Sequence, residues 1–133
     1  MGPSLSENEG VAGATVLVVD DDDMICEIVA GMLEILGYTV VTLTDSEQAL
    51  AQVSSIKPAL LILDMAMPKL SGSQVVDLLR AEGFDVPVLL SSGYVKTDEI
   101  NSVCANPNVG YLKKPFTISE LSEAVAQMLI REG

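Results

Sequence analysis

Four places along the chain carry side chains that could do chemistry together. Asp20-Asp21-Asp22-Asp23 is a run of carboxylates, and Asp64 stands ahead of Met65-Ala66-Met67-Pro68. Ser91-Ser92-Gly93 offers hydroxyls, and Lys113-Lys114-Pro115-Phe116 offers ammonium groups. Clustered carboxylates repel one another unless a cation joins them. An all-oxygen donor set with room for water favours Mg2+. A Mg2+ with open positions can hold phosphate oxygens. A lysine and a hydroxyl beside it would complete a cradle for a phosphoryl group and neutralise charge as that group transfers. One carboxylate could then be the nucleophile, forming an aspartyl phosphate. Singly, each residue has an ordinary explanation. Asp22 and Asp23 suit a helix N-terminus, Asp64 and Ser92 suit turns, and Lys114 suits a solvated surface. Their joint placement is what points to a site.

That placement follows from five short apolar runs: Thr15–Val19, Thr39–Leu43, Ala59–Leu63, Val86–Leu90 and Val109–Leu112. Unbroken apolar runs of this length indicate strands buried on both faces, hence a parallel sheet. Between them lie segments with helical spacing. Ile25, Ile28, Val29, Met32, Leu33 and Leu36 form one stripe, ended by Gly37. Ala49, Leu50 and Val53 mark a second helix, with Ser46 as its cap. Val75, Val76, Leu78 and Leu79 mark a third, closed by Gly83. The fourth runs from Val95 to about Cys104. Ile118, Leu121, Val125, Met128 and Leu129 mark the fifth, capped by Thr117 or Ser119. Strands alternating with helices make a doubly wound α/β sheet with right-handed crossovers. Ligands in such folds sit at the carboxyl ends of the strands, and all four chemical clusters follow a strand. If the first and third strands are neighbours, about 4.8 Å apart, their terminal carboxylates converge.

Composition narrows the partners. The 133 residues are one domain's worth of chain, with 49% hydrophobic and 20% charged residues. No apolar run reaches the roughly 18 residues of a membrane span, and the first ten residues lack a secretory signal pattern. Seven basic residues against 19 acidic ones give a net charge of −12. That argues against nucleic acid and against anionic membrane as partners. Histidine is absent, which excludes a histidine zinc ligand or a Cys-His nucleophile. Cys26 and Cys104 read as reduced packing residues of a cytoplasmic protein.

VLVVDDDD, LLILDMAMP, LLSSG and GYLKKPF, in this order, resemble the motifs of receiver domains of bacterial two-component response regulators. The resemblance covers about Thr15 to Ile130. It implies a five-stranded flavodoxin-like sheet of order 2-1-3-4-5 in three α/β/α layers. Residues 1–13 are then a flexible N-terminal segment and 14–131 the receiver domain. Carried over by position, Asp64 matches the phosphoacceptor, and Asp20 and Asp21 match the acidic pair that binds Mg2+. Ala66 matches the residue whose backbone carbonyl completes the metal shell. Ser92 and Lys114 match the hydroxyl and the lysine that contact the phosphoryl group. Tyr111 matches the aromatic that swings between exposed and buried rotamers. The Lys114-Pro115 bond matches one that is usually cis. The implied partner is a histidine kinase or histidine phosphotransfer protein, with a downstream effector on the face of the fourth helix, fifth strand and fifth helix. The protein is expected to be a signalling phosphoacceptor and not an enzyme. LLSSGYV resembles receivers attached to sensor kinases, which leaves open whether the domain stands free or belongs to a hybrid kinase. Leu70-Ser71 stands where the family often has Met-Asp, Gly72 is retained, and Gly93 replaces a common Ala.

Other readings fare worse. A haloacid-dehalogenase-type phosphatase needs a second Asp two residues after its nucleophile, where this chain has Ala66. A flavodoxin would bring FMN phosphate against four aspartates, which would repel it. A receiver that only docks, without taking phosphate, would not need all five key positions. On the fourth-helix face, Asp98, Glu99, Glu120 and Glu123 outnumber Lys96, Lys113 and Arg131. Like charges meeting across a two-fold axis repel, and exposed ion pairs contribute only about 0–1 kcal/mol each. The protein is therefore expected to be a monomer, and light scattering at moderate salt, with and without beryllofluoride, should return one protomer's mass in both conditions.

Overall fold

The computed structural model describes residues 13–93 and 97–132. The chain runs β1 (Thr15–Val19), α1 (Asp23–Ile35), β2 (Thr39–Leu43), α2 (Ala49–Ile56), β3 (Leu60–Asp64), α3 (Gly72–Ala81), β4 (Val88–Ser92), α4 (Thr97–Cys104), β5 (Val109–Lys113) and α5 (Ile118–Glu132). A 3-10 turn at Ser46–Gln48 leads into α2. All strand pairs are parallel, in the order β2-β1-β3-β4-β5. β3 and β4 are buried along their whole length, whereas β2, at the sheet's edge, has only exposed and half-buried residues. Helices cover both faces. On one face Leu17, Leu61, Leu63 and Leu90 pack with Val53 of α2, Val76 and Leu79 of α3, and Val103 of α4. On the other, Val16, Val18, Ile62 and Leu89 pack with Val29 and Leu33 of α1 and Leu121, Val125 and Met128 of α5. Burying both faces is what lets the strands be continuously apolar.

The helix ends follow local chemistry. Asp22 caps α1, its carboxylate accepting from the amides of Met24 and Ile25. α1 and α3 both end in Schellman turns: Tyr38 donates to the carbonyl of Leu33 and Phe84 to that of Leu79. The residues between, Gly37 and Gly83, take φ of 99° and 87°, where a side chain would be strained. Thr117 caps α5 in a capping box with Glu120.

Several expected boundaries move. Ser46 is not the cap before α2. Asp45 caps the 3-10 turn, and Ser46 is buried with its hydroxyl accepting from the amide of Leu70. β3 and β4 sit one to two residues later than their apolar runs suggest, so Asp64, Ser91 and Ser92 end strands instead of following them. A ladder is backbone bonding and continues through polar side chains, while Pro87 has no N–H to donate. Ile28 and Leu78, expected in the core, are 53% and 42% exposed. Each apolar stripe is wider than the arc a helix can press against the sheet. Val95, the expected start of the fourth helix, and Lys96 lie outside the described residues. So does the expected N-terminal segment, apart from Gly13.

Arg80 ties together the segments that lead into β4 and β5. Arg80 donates to the carbonyls of Phe84, Val86 and Pro107, at 2.7, 3.0 and 3.0 Å. Burial pushes its pKa down, partly offset by Asp85. Arg80→Ala should cost about 2–3 kcal/mol, since each hydrogen bond to a charged group carries more than a neutral one. Thermal melts should show the loss, with Arg80→Lys recovering only part, while cation binding at the opposite end of the sheet stays unchanged.

Candidate functional site

Strand order brings the chemistry together. β1 lies between β2 and β3, and Val19 pairs with Leu63, so Asp20 and Asp64 leave adjacent strands side by side. Oxygens of Asp20, Asp21 and Asp64 all lie within 4.8 Å of one another. Asp20 is 4% exposed and Asp64 8%, while Asp21 opens to solvent. Lys114, just past β5, reaches across β4 to both buried carboxylates: its Nζ lies 2.8 Å from Asp20 Oδ2 and 3.4 Å from Asp64 Oδ1. Its peptide bond to Pro115 is cis, and its amide donates to the carbonyl of Ser92.

The electrostatics are those of a crowded anionic site. Burial raises the pKa of Asp64 and the charge on Asp20 adds to this. Lys114 and the amide of Ala66 oppose it. Burial alone would lower the pKa of Lys114, but Asp20 and Asp64 together outweigh it and hold the ammonium above the usual lysine range. Among the described residues, three carboxylates therefore face the ammonium of Lys114. The donors are all hard oxygens, and one opens to water. This set fits a small divalent cation.

Neighbouring groups fix the aspartates in place. Asp20 donates its amide to the carbonyl of Leu43, and its own carbonyl accepts from the Cys26 thiol at 3.3 Å. The amide of Asp22 donates to Asp20 Oδ1. The amide of Met65 donates to Ser91, the register partner of Asp64. Gly72 opens α3 against this strand end. A Cβ there would fall 2.7 Å from the Asp64 carbonyl oxygen and 2.9 Å from Met65 Cα, so only glycine lets the helix approach. Lys69 lies 3.6 Å from both Asp45 and Glu47, tying the β3–α3 loop to the loop before α2.

Asp20, Asp21, Asp64, Ala66, Ser92 and Lys114 gather at the carboxyl ends of the strands, while Tyr111 sits in the middle of β5. Ser92 is buried, and its carbonyl accepts from the Tyr111 hydroxyl at 2.9 Å. Tyr111 is half-buried. Ala66 is exposed and offers its amide to Asp64. Sequence reasoning passed over Cys26 as a polar contact, Gly72 as a contact of the strand end carrying Asp64, and Ser91, whose buried hydroxyl has no hydrogen-bond partner among the described residues. It also missed an apolar cleft of about 440 Å³ between α1 and the β5–α5 loop, lined by Ile25, Met32, Gly93, Lys114 and Phe116 among others. Only the surplus width of the α1 stripe hinted at that surface.

The family model of the response regulator receiver domain matches residues 16–126. The chain belongs to this family. It is 36% identical over 124 residues to the transcriptional regulatory protein PrrA of Mycobacterium tuberculosis, covering 93% of this chain and 53% of that protein. It is also 36% identical over 119 residues to the response regulator MprA of Mycobacterium ulcerans, covering 87% of this chain and 50% of that protein. The receiver thus spans about half the length of these relatives. Among solved structures, a Francisella response regulator 1452 receiver domain superposes with a TM-score of 0.83 at 27% identity, covering 91% of this chain and all of that one. The Vibrio cholerae chemotaxis protein CheY4 superposes at 0.81 and 28% identity, covering 88% and 99%.

The raised pKa of Asp64 has a thermodynamic consequence for this receiver. Folding favours the protonated carboxyl, so the group's favourable contribution is complete below the ordinary aspartate value of 3.8 and is lost as pH rises through the raised value. Asp64→Asn in metal-free buffer should therefore melt higher than wild type at pH 7, by about 3–5 °C for each kcal/mol relieved in a domain of this size. The difference should close below about pH 3.8. A melting difference independent of pH would place its origin elsewhere.

Proposed function

We propose that this receiver takes a phosphoryl group onto Asp64 from a phosphohistidine of a histidine kinase or phosphotransfer protein. The observation that carries the reading is Lys114 bridging Asp20 and Asp64 at 2.8 and 3.4 Å, in a cluster whose three carboxylates lie within 4.8 Å. Asp64 is the nucleophile: a carboxylate oxygen bonds to phosphorus as the P–N bond breaks, and the imidazole nitrogen keeps the electron pair. Asp20, Asp21, Asp64 and the backbone carbonyl of Ala66 would hold Mg2+. When bound, the ion supplies positive charge for the phosphoryl oxygens. Lys114 supplies a second positive charge there, and the Ser92 hydroxyl a hydrogen bond.

The product adds roughly 1.5–2 negative charges beside buried groups. Ser92 turns toward them. Because Tyr111 donates to the Ser92 carbonyl, β5 and α4 respond, and the face of α4, β5 and α5 is the output surface for an effector. No separate substrate is turned over, so the domain is a signalling module and not an enzyme in the usual sense. We place it in the cytoplasm as a monomer. No described helix is long and apolar enough to cross a membrane.

Acetyl phosphate with millimolar Mg2+ should label the wild type at one acid-labile site. Asp64→Asn should abolish labelling, chelation should stop it, and Lys114→Ala should slow it by about 100-fold, the typical effect of removing one charge-stabilising group. Undiminished labelling of Asp64→Asn would move the acceptor to another residue.

A further inference from the structure

Ser91 is 3% exposed, and its hydroxyl has no hydrogen-bond partner among the described residues. A buried hydroxyl left unpaired is destabilising, and such groups are few in folded proteins. Packing does not account for this one. Side chains alternate along β4, and Leu89, two residues back, packs with Val18 and Ile62 on the face that α1 and α5 cover. Ser91 leaves the sheet on that same face, where alanine or valine would suit the apolar surroundings. Asp64 follows Ile62 by two residues, and Ser91 is its register partner on β4. Paired residues of neighbouring strands project from one face, about 4.8 Å apart. That spacing is within the combined reach of a serine and an aspartate side chain. The backbone is fixed there, since the amide of Met65 donates to the Ser91 carbonyl. β4 also lies between β3 and β5, so Ser91 stands between the strands that carry the two ends of the Lys114–Asp64 ion pair. In this state Asp64 accepts from Lys114 at 3.4 Å and from the amide of Ala66, and the Ser91 hydroxyl is left over.

We propose that Ser91 is a further residue of phosphoryl transfer, the hydroxyl that replaces Lys114 as donor to the Asp64 carboxyl while Lys114 serves the phosphoryl oxygens. This rests on the phosphoacceptor role of Asp64 and adds a group to that reaction. In labelling by acetyl phosphate, an Asp64 oxygen bonds to phosphorus as the donor's P–O bond breaks, and acetate leaves with the electron pair. In loss, a water oxygen bonds to phosphorus and the P–O bond to Asp64 breaks. The carboxylate keeps the pair, and both protons of the water stay on the phosphate released. At either transition state the second Asp64 oxygen carries partial negative charge and Lys114 has turned away. A hydroxyl donates more strongly to that oxygen than to a neutral carbonyl, and in the resting protein the bond is unmade. Ser91 therefore speeds gain and loss together. Its task is separate from that of Ser92, which serves the phosphoryl oxygens.

Wild type, Ser91→Ala and Ser91→Thr test this, with acetyl phosphate in millimolar Mg2+ as phosphodonor. The labelling rate is followed first. The donor is then removed by desalting, and the loss of label is timed. Ser91→Ala should slow both steps by about 10-fold, the lower end of what a hydrogen bond to a charged group gives. Without donor it should melt at or above the wild-type temperature, because no bond is lost and an unpaired hydroxyl is removed. Ser91→Thr keeps the hydroxyl and should restore most of both rates. Unchanged rates in Ser91→Ala would overturn the proposal. Rates as slow in Ser91→Thr would also overturn it, tracing the effect to shape. A clear drop in melting temperature in Ser91→Ala would do the same, by showing that the hydroxyl is already bonded in the resting protein, as to a buried water. Failure of acetyl phosphate to label wild type, or undiminished labelling of Asp64→Asn, would instead remove the phosphoacceptor reading beneath it.

Discussion

Oxygens of three carboxylates from two adjacent strand ends lie within 4.8 Å of one another, and one ammonium faces them. At an effective dielectric of about 20, each like-charge pair at that separation costs on the order of 3 kcal/mol. Lys114 offsets part of this from across β4, nearer to Asp20 than to Asp64. The remaining imbalance makes the site receptive to a divalent cation. It also explains why Asp64 resists ionisation in the folded state, with burial and Asp20 both acting against its charge.

Holding such a site open requires support from elements that do not share in its chemistry. The amide of Asp20 is fixed by β2 and its carbonyl by Cys26 of α1. The strand end carrying Asp64 is fixed by Ser91 of β4 and by the close approach of α3 at Gly72. Lys69 and Ser46 join the two loops that flank Asp21. These contacts belong to different segments, so the carboxylates cannot relax apart without disturbing several elements at once. Tyr111 extends the network outward, since its hydroxyl is bonded to the carbonyl of Ser92.

The two ends of the sheet divide the work. At the amino ends, Arg80 gathers three loop carbonyls around one guanidinium. At the carboxyl ends, charges are crowded against their preference. α1 takes part in both the core and the surface. Val29 and Leu33 seal the sheet, while Met24, Ile28 and Ile35 remain exposed beside the cleft. Among the described residues nothing covers that apolar surface, and it adjoins the site.

Much was legible in the residues because the determinants are local. Apolar runs of five residues mark strands, a Gly at φ near 90° ends a helix, and Asp22 caps one through its own backbone neighbours. The clusters that follow the strands named Asp20, Asp21, Asp64, Ser92 and Lys114, because a parallel α/β sheet puts every strand's carboxyl end on one edge. Ser46 was misread as a cap because its partner, the amide of Leu70, lies 24 residues away. Ile28 was misread as core because periodicity gives the direction of a stripe and not its buried width. The sequence alone thus determined the element types and the strand-end clusters whose residues the fold brings together. Only the tertiary structure decided which carboxylate Lys114 holds more closely and why position 72 admits no side chain. Those are distances between segments remote in sequence, and they exist only once the strands are ordered and the helices packed.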